Sequence, residues 1–342
     1  MQEPTNSLLE IEDLHISLNA YEGLAKIVDG VNCTINRGEI VAIVGESGCG
    51  KTLTAKAIMG ILPPQIIVEG SIRYKGSNLL ALTEKEMARI RGREIAMIPQ
   101  NPMTSLNPLL TIEDQLTDLI SFKDAPEINI FSYYARKKRV EKEKCAKDIA
   151  AKILEEVELS PPDRILRSYP FQISGGMAQR VCIALALQGE PSLLIADEPG
   201  TSLDVTTQKH MLDLLLERIK ARHLTVIFIT HNLAVARRIA QRIFVMYAGN
   251  IVEVSDAENA FVDPLHPYTQ GLKQAVPTLL GTRMTGIDGR VPAYTNPPNG
   301  CRFHPRCPRV MEVCKHTKPE LTRIKDHRLV ACHLYNSDVT AD

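Results

Sequence analysis

One eight-residue stretch, GESGCGKT at positions 45–52, constrains the fold of this chain more than any other feature. It matches every fixed position of the phosphate-binding pattern G-x-x-x-x-G-K-[ST], namely Gly45, Gly50, Lys51 and Thr52. An unbroken apolar run at 40–44 precedes it, and residues 53–59 follow it without a helix breaker. Because a buried strand, a glycine-rich turn and a helix start are the context that such a loop needs, the sequence predicts a nucleotide-binding site.

The residue types in this loop suit a nucleoside triphosphate. The glycines allow the backbone to curl so that successive N–H groups point at phosphate oxygens, and the dipole of the following helix adds positive potential. We expect Lys51 to reach the β- and γ-phosphates and Thr52 to place its hydroxyl on Mg²⁺. The backbone of the intervening residues completes the cradle: Glu46, Ser47, Gly48 and Cys49.

Composition limits the class of protein. A chain of 342 residues favours one large domain with an appendage, and 40 basic residues balance 40 acidic ones, so net charge does not point to nucleic acid. No run of 18 apolar residues occurs, and the acidic, polar start differs from a signal peptide. We therefore expect a cytosolic location, where the eight cysteines are ligands or core thiols rather than disulfides.

Alternating strand and helix patterns predict a largely parallel α/β domain that ends near residue 255. Strands are expected at 9–18, 66–74, 94–100, 193–197, 225–230, 243–246 and 251–254. A helical pattern covers 111–159, and its charged stretch at 135–148 interleaves basic with acidic residues. Because the acidic residues would repel phosphate, we interpret that stretch as a solvated helix face rather than a nucleic-acid patch.

Two carboxylates follow a buried strand, as a phosphate-loop enzyme requires. The apolar run at 193–197 ends in Asp197, which we expect to position Mg²⁺, and Glu198 is the candidate general base on water. Upstream, Ser174 is a good N-cap for an apolar helix, and the glycines at 175–176 leave backbone N–H groups bare. A second anion site is therefore predicted there.

Three further side chains have both a functional and a structural interpretation. Gln100 ends a short strand, where its amide oxygen would bind Mg²⁺ or the attacking water, unless it is simply solvated. His231 ends the strand at 225–230, at the edge where parallel sheets bind ligands, although a lone histidine is usually a capping or surface residue. Tyr21 precedes the phosphate loop and would either stack on an adenine or pack locally.

Six motifs together resemble those of the ABC-transporter ATPases, in order and at similar spacing. They are Walker A at 45–52, the Q-loop at Gln100, the signature ISGGMAQR at 173–180, Walker B at 193–198, the D-loop at 199–204 and the switch histidine His231. Over essentially its whole length the chain is similar to the peptide/nickel importer branch, which includes dipeptide and oligopeptide permease ATP-binding subunits. That branch is indicated by MIPQNPMTSLNP at 97–108, HPYTQ at 266–270 and NPPNGCRFHPRCP at 296–308.

The resemblance implies an α/β fold: a P-loop NTPase (ABC ATPase) domain at 1–255 with an inserted helical subdomain at about 105–190. A linker or regulatory extension at 256–295 and a small, irregular, metal-binding extension at 296–342 would follow. Catalytic roles are implied for Gln100, Glu198 and His231, and Mg²⁺ ligation for Thr52, Gln100 and Asp197. Nucleotide contacts are implied for the phosphate loop and for Tyr21, Thr54, Ser174, Gly175, Gly176, Gln179 and Asp204.

By the same resemblance, the chain would be the ATP-hydrolysing subunit of an importer of di- or oligopeptides, nickel or a metal chelate. It would lie peripherally on the cytoplasmic side of the membrane. Its partners would be a second ABC ATPase subunit in an expected heterodimer, two transmembrane permease subunits and, indirectly, a substrate-binding protein, with no nucleic acid. The second anion site then has a use, because each signature helix caps the γ-phosphate held by the other ATPase.

The last 42 residues hold four of the eight cysteines: Cys301, Cys307, Cys314 and Cys332. Their spacing fits neither the C-x₂₋₄-C pairs of zinc modules nor the bacterial ferredoxin pattern, so residue spacing predicts a metal site without identifying the metal. Free thiols are the structural alternative. The resemblance implies a 4Fe–4S cluster, with zinc second.

Two alternatives belong to other functional classes. A soluble ABC ATPase of DNA repair or translation would carry a long coiled-coil insert or two cassettes, and this chain has one cassette and no such insert. A stand-alone iron–sulfur or zinc regulatory protein with a vestigial ATPase would not need the intact Glu198 and His231. Transport is therefore the favoured hypothesis.

Overall fold

The computed structural model describes residues 6–21, 23–123, 140–201, 203–276, 286–325 and 328–335. It divides into two compact units, one formed by Met1–Leu82 with Thr225–Asp342 and the other by Thr83–Leu224. The described part of the charged stretch at 135–148 starts with a helix at Val140, and side chains before 146 lie outside the description.

The strands are, in chain order, β1 (Ser7–Ala20), β2 (Gly23–Asn36), β3 (Ile40–Val44), β4 (Ile66–Tyr74), β5 (Ser77–Asn78), β6 (Ile95–Ile98), β7 (Leu193–Asp197), β8 (Thr225–Thr230), β9 (Arg242–Tyr247), β10 (Asn250–Asp256), β11 (Thr322–Lys325) and β12 (Arg328–Val330). The described helices are α1 (Lys51–Met59), α2 (Glu84–Ile90), α3 (Pro102–Ser105), α4 (Ile112–Lys123), α5 (Val140–Glu156), α6 (Pro162–Leu166), α7 (Gly175–Gln188), α8 (Val205–Ala221), α9 (Leu233–Ile239), α10 (Ala257–Val262), α11 (Pro267–Gln274) and α12 (Val313–His316). Each strand predicted from the sequence is present in this set.

An antiparallel sheet in the first unit has the order β2-β1-β4-β5. Strand β1 has a register shift between Ile11 and Leu14, where Asp13 has a positive φ of 46°. Gly70 of β4 lies opposite this bulge, and a Cβ there would come 2.3 Å from the Asp13 carbonyl oxygen. The bulge therefore permits both Ile11 and Leu14 to be buried on the core side of the strand.

The second sheet of the first unit carries the phosphate loop. Strand β3 pairs in parallel with β8 on one side and β9 on the other. All residues of β3 and β8 are buried, as expected for strands covered on both faces. Strand β10 returns antiparallel to β9, and β12 pairs with β10.

The C-terminal extension is less irregular than expected. Strands β11 and β12 form an antiparallel pair, and Glu253 and Val254 of β10 are register partners of Val330 and Leu329. These strands have only four and three residues and lie among prolines and charges, so their alternation is too short to predict a strand. Upstream, the segment expected to be a linker contains α10 and α11.

The second unit combines a strand pair with helices. Strands β6 and β7 are parallel, with Ile98 opposite Ala196. Helix α7 buries most of its apolar residues and ends where Gly189 meets Gly92; a Cβ on Gly189 would overlap the Gly92 carbonyl oxygen at 1.6 Å. Both strands lie outside residues 105–190, so the compact unit is larger than the helical subdomain expected there, and that subdomain stays a prediction.

Candidate nucleotide-binding site

The phosphate loop connects β3 to α1 through glycines that no other residue would replace without strain. Gly45 packs against β9, and a Cβ there would come 2.1 Å from the Met246 carbonyl oxygen. Gly48 and Gly50 have φ of 81° and 108°, in the left-handed region that side chains disfavour. The sequence pattern thus corresponds to a tight turn that brings backbone N–H groups to the start of α1.

Lys51 is buried inside this turn. Its Nζ donates hydrogen bonds to the carbonyl oxygens of Gly45 at 2.7 Å and Glu46 at 2.9 Å. Thr52 is half-buried, and the Thr54 hydroxyl donates to the Gly50 carbonyl at 3.1 Å. The ammonium group is therefore held at the centre of the loop, where bound phosphates would meet it.

Two other predicted residues of the first unit are open to solvent. Tyr21 is fully exposed, which argues against local packing and leaves stacking on a base as its predicted role. His231 is exposed and follows Thr230, the register partner of Val44. Since Gly45 follows Val44, the phosphate loop and His231 leave the sheet at one edge.

The second unit brings Gln100 and Glu198 together. Each lies two residues beyond a member of the Ile98–Ala196 register pair, and Gln100 Nε2 donates to Glu198 Oε2 at 3.2 Å. The Thr201 hydroxyl lies 3.3 Å from the same oxygen. Asp197 and Glu198 are almost fully buried. Two of the three residues predicted to be catalytic are therefore in contact, and the carboxylate of Glu198 has a fixed orientation.

Glu198 also has an unusual backbone conformation. Its φ of 44° lies in the left-handed region, which is uncommon for residues other than glycine. The Thr201 N–H and hydroxyl both contact the Glu198 carbonyl oxygen, at 3.3 and 3.1 Å. Such backbone strain is common at functional sites.

The signature segment starts α7 as the sequence predicts. The Ser174 hydroxyl caps the helix by accepting from the Met177 N–H at 3.3 Å. Among the described residues, nothing lies within 4 Å of a Cβ built on Gly175, so the space beside the helix start is open. A ligand or partner group has room to approach these backbone N–H groups.

Two other predicted nucleotide contacts, Asp204 and Gln179, differ in their local contacts. Asp204 caps α8 by accepting from the Thr207 N–H at 3.0 Å, and its pKa is lowered by hydrogen bonds from the Thr207 hydroxyl and N–H. Gln179 is fully buried, and in the described part of the chain neither of its amide atoms has a hydrogen-bond partner. The nucleotide contacts predicted for these residues stay predictions.

Residues that the sequence did not indicate also contact the phosphate loop. The Glu46 N–H donates to the Tyr268 hydroxyl, and Arg306 forms an ion pair with the Glu46 carboxylate. Tyr294 donates from its hydroxyl to the Gly48 carbonyl. Tyr268 and Arg306 lie in the motifs HPYTQ and NPPNGCRFHPRCP, which mark these segments without indicating a contact with the phosphate loop; Tyr294 lies in neither motif.

The four C-terminal cysteines lie near one another without forming a set of metal ligands. Cys314 and Cys332 are buried, Cys301 and Cys307 are half-buried, and all four are free thiols. The pKa of Cys301 is raised to about 11 and that of Cys332 to about 12, mainly by burial and in smaller part by the neighbouring thiols. Within the described residues, however, no three His, Cys, Asp or Glu side chains are placed to hold a metal ion.

Comparison with known proteins identifies the family. A sequence model described as ABC transporter matches residues 28–201, which contain Walker A, Gln100, the signature, Walker B and the first residues of the D-loop. The chain is 43% identical to the dipeptide transport ATP-binding protein DppD of Bacillus subtilis, over 96% of this chain and 94% of that protein. The chain belongs to the ABC transporter family.

Other comparisons relate the chain to peptide transporters within the ABC transporter family. Residues 252–314 match a model described as oligopeptide/dipeptide transporter, C-terminal region. The oligopeptide transport ATP-binding protein OppD of Bacillus subtilis is 42% identical over 97% of this chain and 90% of its own length. Among solved structures, the ATP-binding cassette MJ0796, in a dimeric post-hydrolysis state bound to ADP and Pi, is 27% identical with a TM-score of 0.60. It covers 73% of this chain and 98% of its own.

The P-loop fold of an ABC ATPase, predicted from the motifs, is thereby confirmed. No helix among the described residues has both the length and the apolarity to cross a bilayer.

Proposed function

We propose that this chain is the ATP-hydrolysing subunit of an ABC importer that takes up di- and oligopeptides. The observation that carries the proposal is the combination of a complete phosphate loop with the Gln100–Glu198 pair. Relatives named for dipeptide and oligopeptide transport, similar over nearly the whole chain, supply the cargo class. The match of residues 252–314 to the peptide-transporter C-terminal region agrees with this choice.

The first unit would bind the triphosphate. The N–H groups of the phosphate loop and the start of α1 would bind its oxygens, and Lys51 would move its donors from loop carbonyls to phosphate. Tyr21 would stack on the adenine. Thr52, Gln100 and Asp197 would hold Mg²⁺, since hydroxyl, amide and carboxylate oxygens suit this hard cation. When bound, Mg²⁺ neutralises charge on the phosphate oxygens.

The second unit would supply the base for hydrolysis. Glu198 would take a proton from the attacking water, and the amide of Gln100 and the hydroxyl of Thr201 would hold its carboxylate in place. His231 would contact the γ-phosphate from its place at the edge of the sheet that bears the phosphate loop. The proton, the water and the phosphoryl group are thus each assigned to a side chain.

The signature segment would serve a second ATPase subunit. The open space beside Gly175 gives room for the triphosphate bound by that partner, and dimeric structures of the similar cassette MJ0796 support such an assembly. We propose a heterodimer that acts on two permease subunits from the cytoplasmic face, with a substrate-binding protein contributing indirectly. Nickel or a metal chelate is the second cargo candidate.

The four C-terminal cysteines would hold a 4Fe–4S cluster, with zinc as the second choice. Support comes from the donor set, since four thiols suit a cubane cluster. The Cys301 N–H also donates to the Cys314 carbonyl at 2.9 Å, which joins two of the cysteine segments. Binding a metal would require the four sulfurs to converge, because the described geometry does not already form a ligand set.

The test measures ATP hydrolysis by the chain assembled with its partner ATPase and permeases in lipid vesicles. Dipeptide, oligopeptide or Ni²⁺ would be supplied with the binding protein. We expect peptide to stimulate hydrolysis and Ni²⁺ to leave it unchanged. Hydrolysis that responds to DNA or ribosomes, without association with permeases, would instead favour the soluble ABC ATPase alternative.

A further inference from the structure

Three side chains of the C-terminal region hold the phosphate loop at separate atoms. Tyr268 Oη accepts from the Glu46 N–H at 2.9 Å, and Tyr294 Oη donates to the Gly48 carbonyl at 2.8 Å. Arg306 binds both carboxylate oxygens of Glu46, at 2.8 and 3.1 Å. All of these residues belong to the first compact unit. The loop is therefore fixed by side chains as well as by its own backbone.

The positions of these three side chains are themselves well determined. Tyr268 is completely buried and packs against Tyr247 and Phe303, with ring centroids 4.6 and 5.5 Å apart. The Tyr294 carbonyl accepts from the Lys26 N–H at 2.9 Å. Arg306 donates to the carbonyl oxygens of Asp288 and Ile287, at 2.8 and 3.0 Å. Because packing and hydrogen bonds fix these side chains, the side chains in turn fix the loop atoms that they contact.

The Arg306–Glu46 pair is the strongest of the three contacts. The Arg306 side chain is only 5% exposed and that of Glu46 27%, so solvent screens the pair less than a surface ion pair. The two parallel hydrogen bonds form the bidentate geometry that gives arginine–carboxylate pairs their strength and direction. Glu46 is also the loop residue whose carbonyl oxygen accepts from Lys51.

Without Arg306, the loop would present an uncompensated carboxylate close to the site of phosphate binding. Like charges at such distances repel, and removing one partner of a half-buried pair leaves the other charge unbalanced. The presence of Arg306 therefore allows a loop with an acidic residue to bind a polyanion.

The geometry points to Arg306 as a positioning residue for nucleotide binding: it neutralises and orients Glu46, so that the C-terminal extension sets the shape and charge of the phosphate loop. This inference rests on the proposed function of the loop. It also gives a physical route between the cysteine segment and the nucleotide, because Arg306 immediately precedes Cys307, while Arg302 follows Cys301 and donates to the Ala248 carbonyl. Gly249, next to Ala248, donates its N–H to the Cys49 carbonyl at 2.9 Å.

A double-mutant cycle on the full chain tests this assignment. The dissociation constant for ATP is measured by calorimetry for wild type, Arg306→Gln, Glu46→Gln and the double variant. We expect Arg306→Gln to weaken binding about tenfold, as the repulsion of an unpaired carboxylate would. Glu46→Gln should change binding less than threefold, and the double variant should match Glu46→Gln.

The matched control is Arg323→Gln, which removes an exposed arginine of the same extension and should leave ATP binding unchanged. Rescue by Glu46→Gln separates a charge effect from damage to the fold, since a misfolded Arg306→Gln would not recover when a second contact is lost. Arg306→Gln with wild-type affinity would overturn the inference, as would a double variant that binds as weakly as Arg306→Gln. Absence of ATP binding by the wild type would instead overturn the proposed function.

Discussion

The phosphate loop and the C-terminal extension differ in the contacts that they contribute to the nucleotide site. Residues 45–52 form a site largely from their own backbone: Gly48 and Gly50 adopt left-handed conformations, and Lys51 donates to carbonyl oxygens of the same loop. By contrast, Tyr294, just before the extension, and Arg306, within it, contact residues 246 and 260 positions away in the chain. A site made by local backbone is visible as a motif, whereas a site made by distant side chains is visible only in the folded chain.

The largest expected effect comes from breaking the local site. Lys51→Ala removes the ammonium group that the loop carbonyls hold at its centre, so that only backbone dipoles remain to bind the phosphates. A charge-assisted interaction contributes about 3 kcal/mol, so we expect ATP binding to weaken at least about hundredfold and transport to stop. Calorimetry with ATP and an uptake assay measure both. Normal affinity in Lys51→Ala would show that residues 45–52 do not bind the triphosphate.

The second effect concerns turnover rather than binding. Glu198→Gln keeps the hydrogen-bonding shape of the side chain but cannot take a proton from water. Because a general base typically contributes about 10²–10⁴ in rate, hydrolysis should fall by at least about hundredfold with ATP affinity retained. The assay pairs the variant with a catalytically inactive partner ATPase. Turnover near the wild-type rate in that pair would exclude Glu198 as the base.

These two predictions concern residues whose roles follow from sequence patterns. Such patterns report local structure and do not specify contacts that form only when distant segments pack together. The end of β7 at Asp197 and the cap at Ser174 follow from apolar runs and capping chemistry, both of which are local. The hydrogen bond between Gln100 and Glu198 follows from the parallel register of β6 and β7, which separate strand patterns do not specify. Burial of Gln179 is likewise a tertiary effect.

The C-terminal extension shows the same limit. Strands β11 and β12 are too short for a period to emerge, and they exist because β10 offers a free edge to β12. Tyr268 belongs to the HPYTQ motif, but its contact with the Glu46 N–H depends on how α11 packs. The sequence spacing of the four cysteines indicates a shared site and does not specify how their sulfurs are arranged.

Substituting a cysteine of the C-terminal extension should have an intermediate effect on ATP binding. If the tail binds a 4Fe–4S cluster, protein purified without oxygen should be brown, absorb at about 400 nm and carry about four iron atoms per chain. Cys314→Ser should bleach it and weaken ATP binding by less than about tenfold, because Arg306 keeps its other anchors. Cys33→Ser is the control, since Cys33 lies in β2, and it should keep the colour. Colourless wild-type protein that contains one zinc would replace the cluster with a structural zinc site.

The smallest effect should follow from Tyr294→Phe. This change removes one neutral hydrogen bond, from Tyr294 Oη to the Gly48 carbonyl, and keeps the ring. Such a bond contributes about 1 kcal/mol, so ATP affinity should fall by no more than about fivefold. Calorimetry under the conditions used for Arg306→Gln gives the comparison. A larger loss of ATP affinity than in Arg306→Gln would mean that the hydroxyl contact contributes more than the ion pair to positioning the loop.

Uptake of a labelled dipeptide tests the central claim most directly. Cells that lack the gene for this chain would receive either the wild-type chain or Glu198→Gln, at equal abundance. The account predicts that only the wild type restores uptake, because transport requires ATP hydrolysis at Glu198. Uptake that does not fall when the gene is removed, or that Glu198→Gln restores fully, would contradict it.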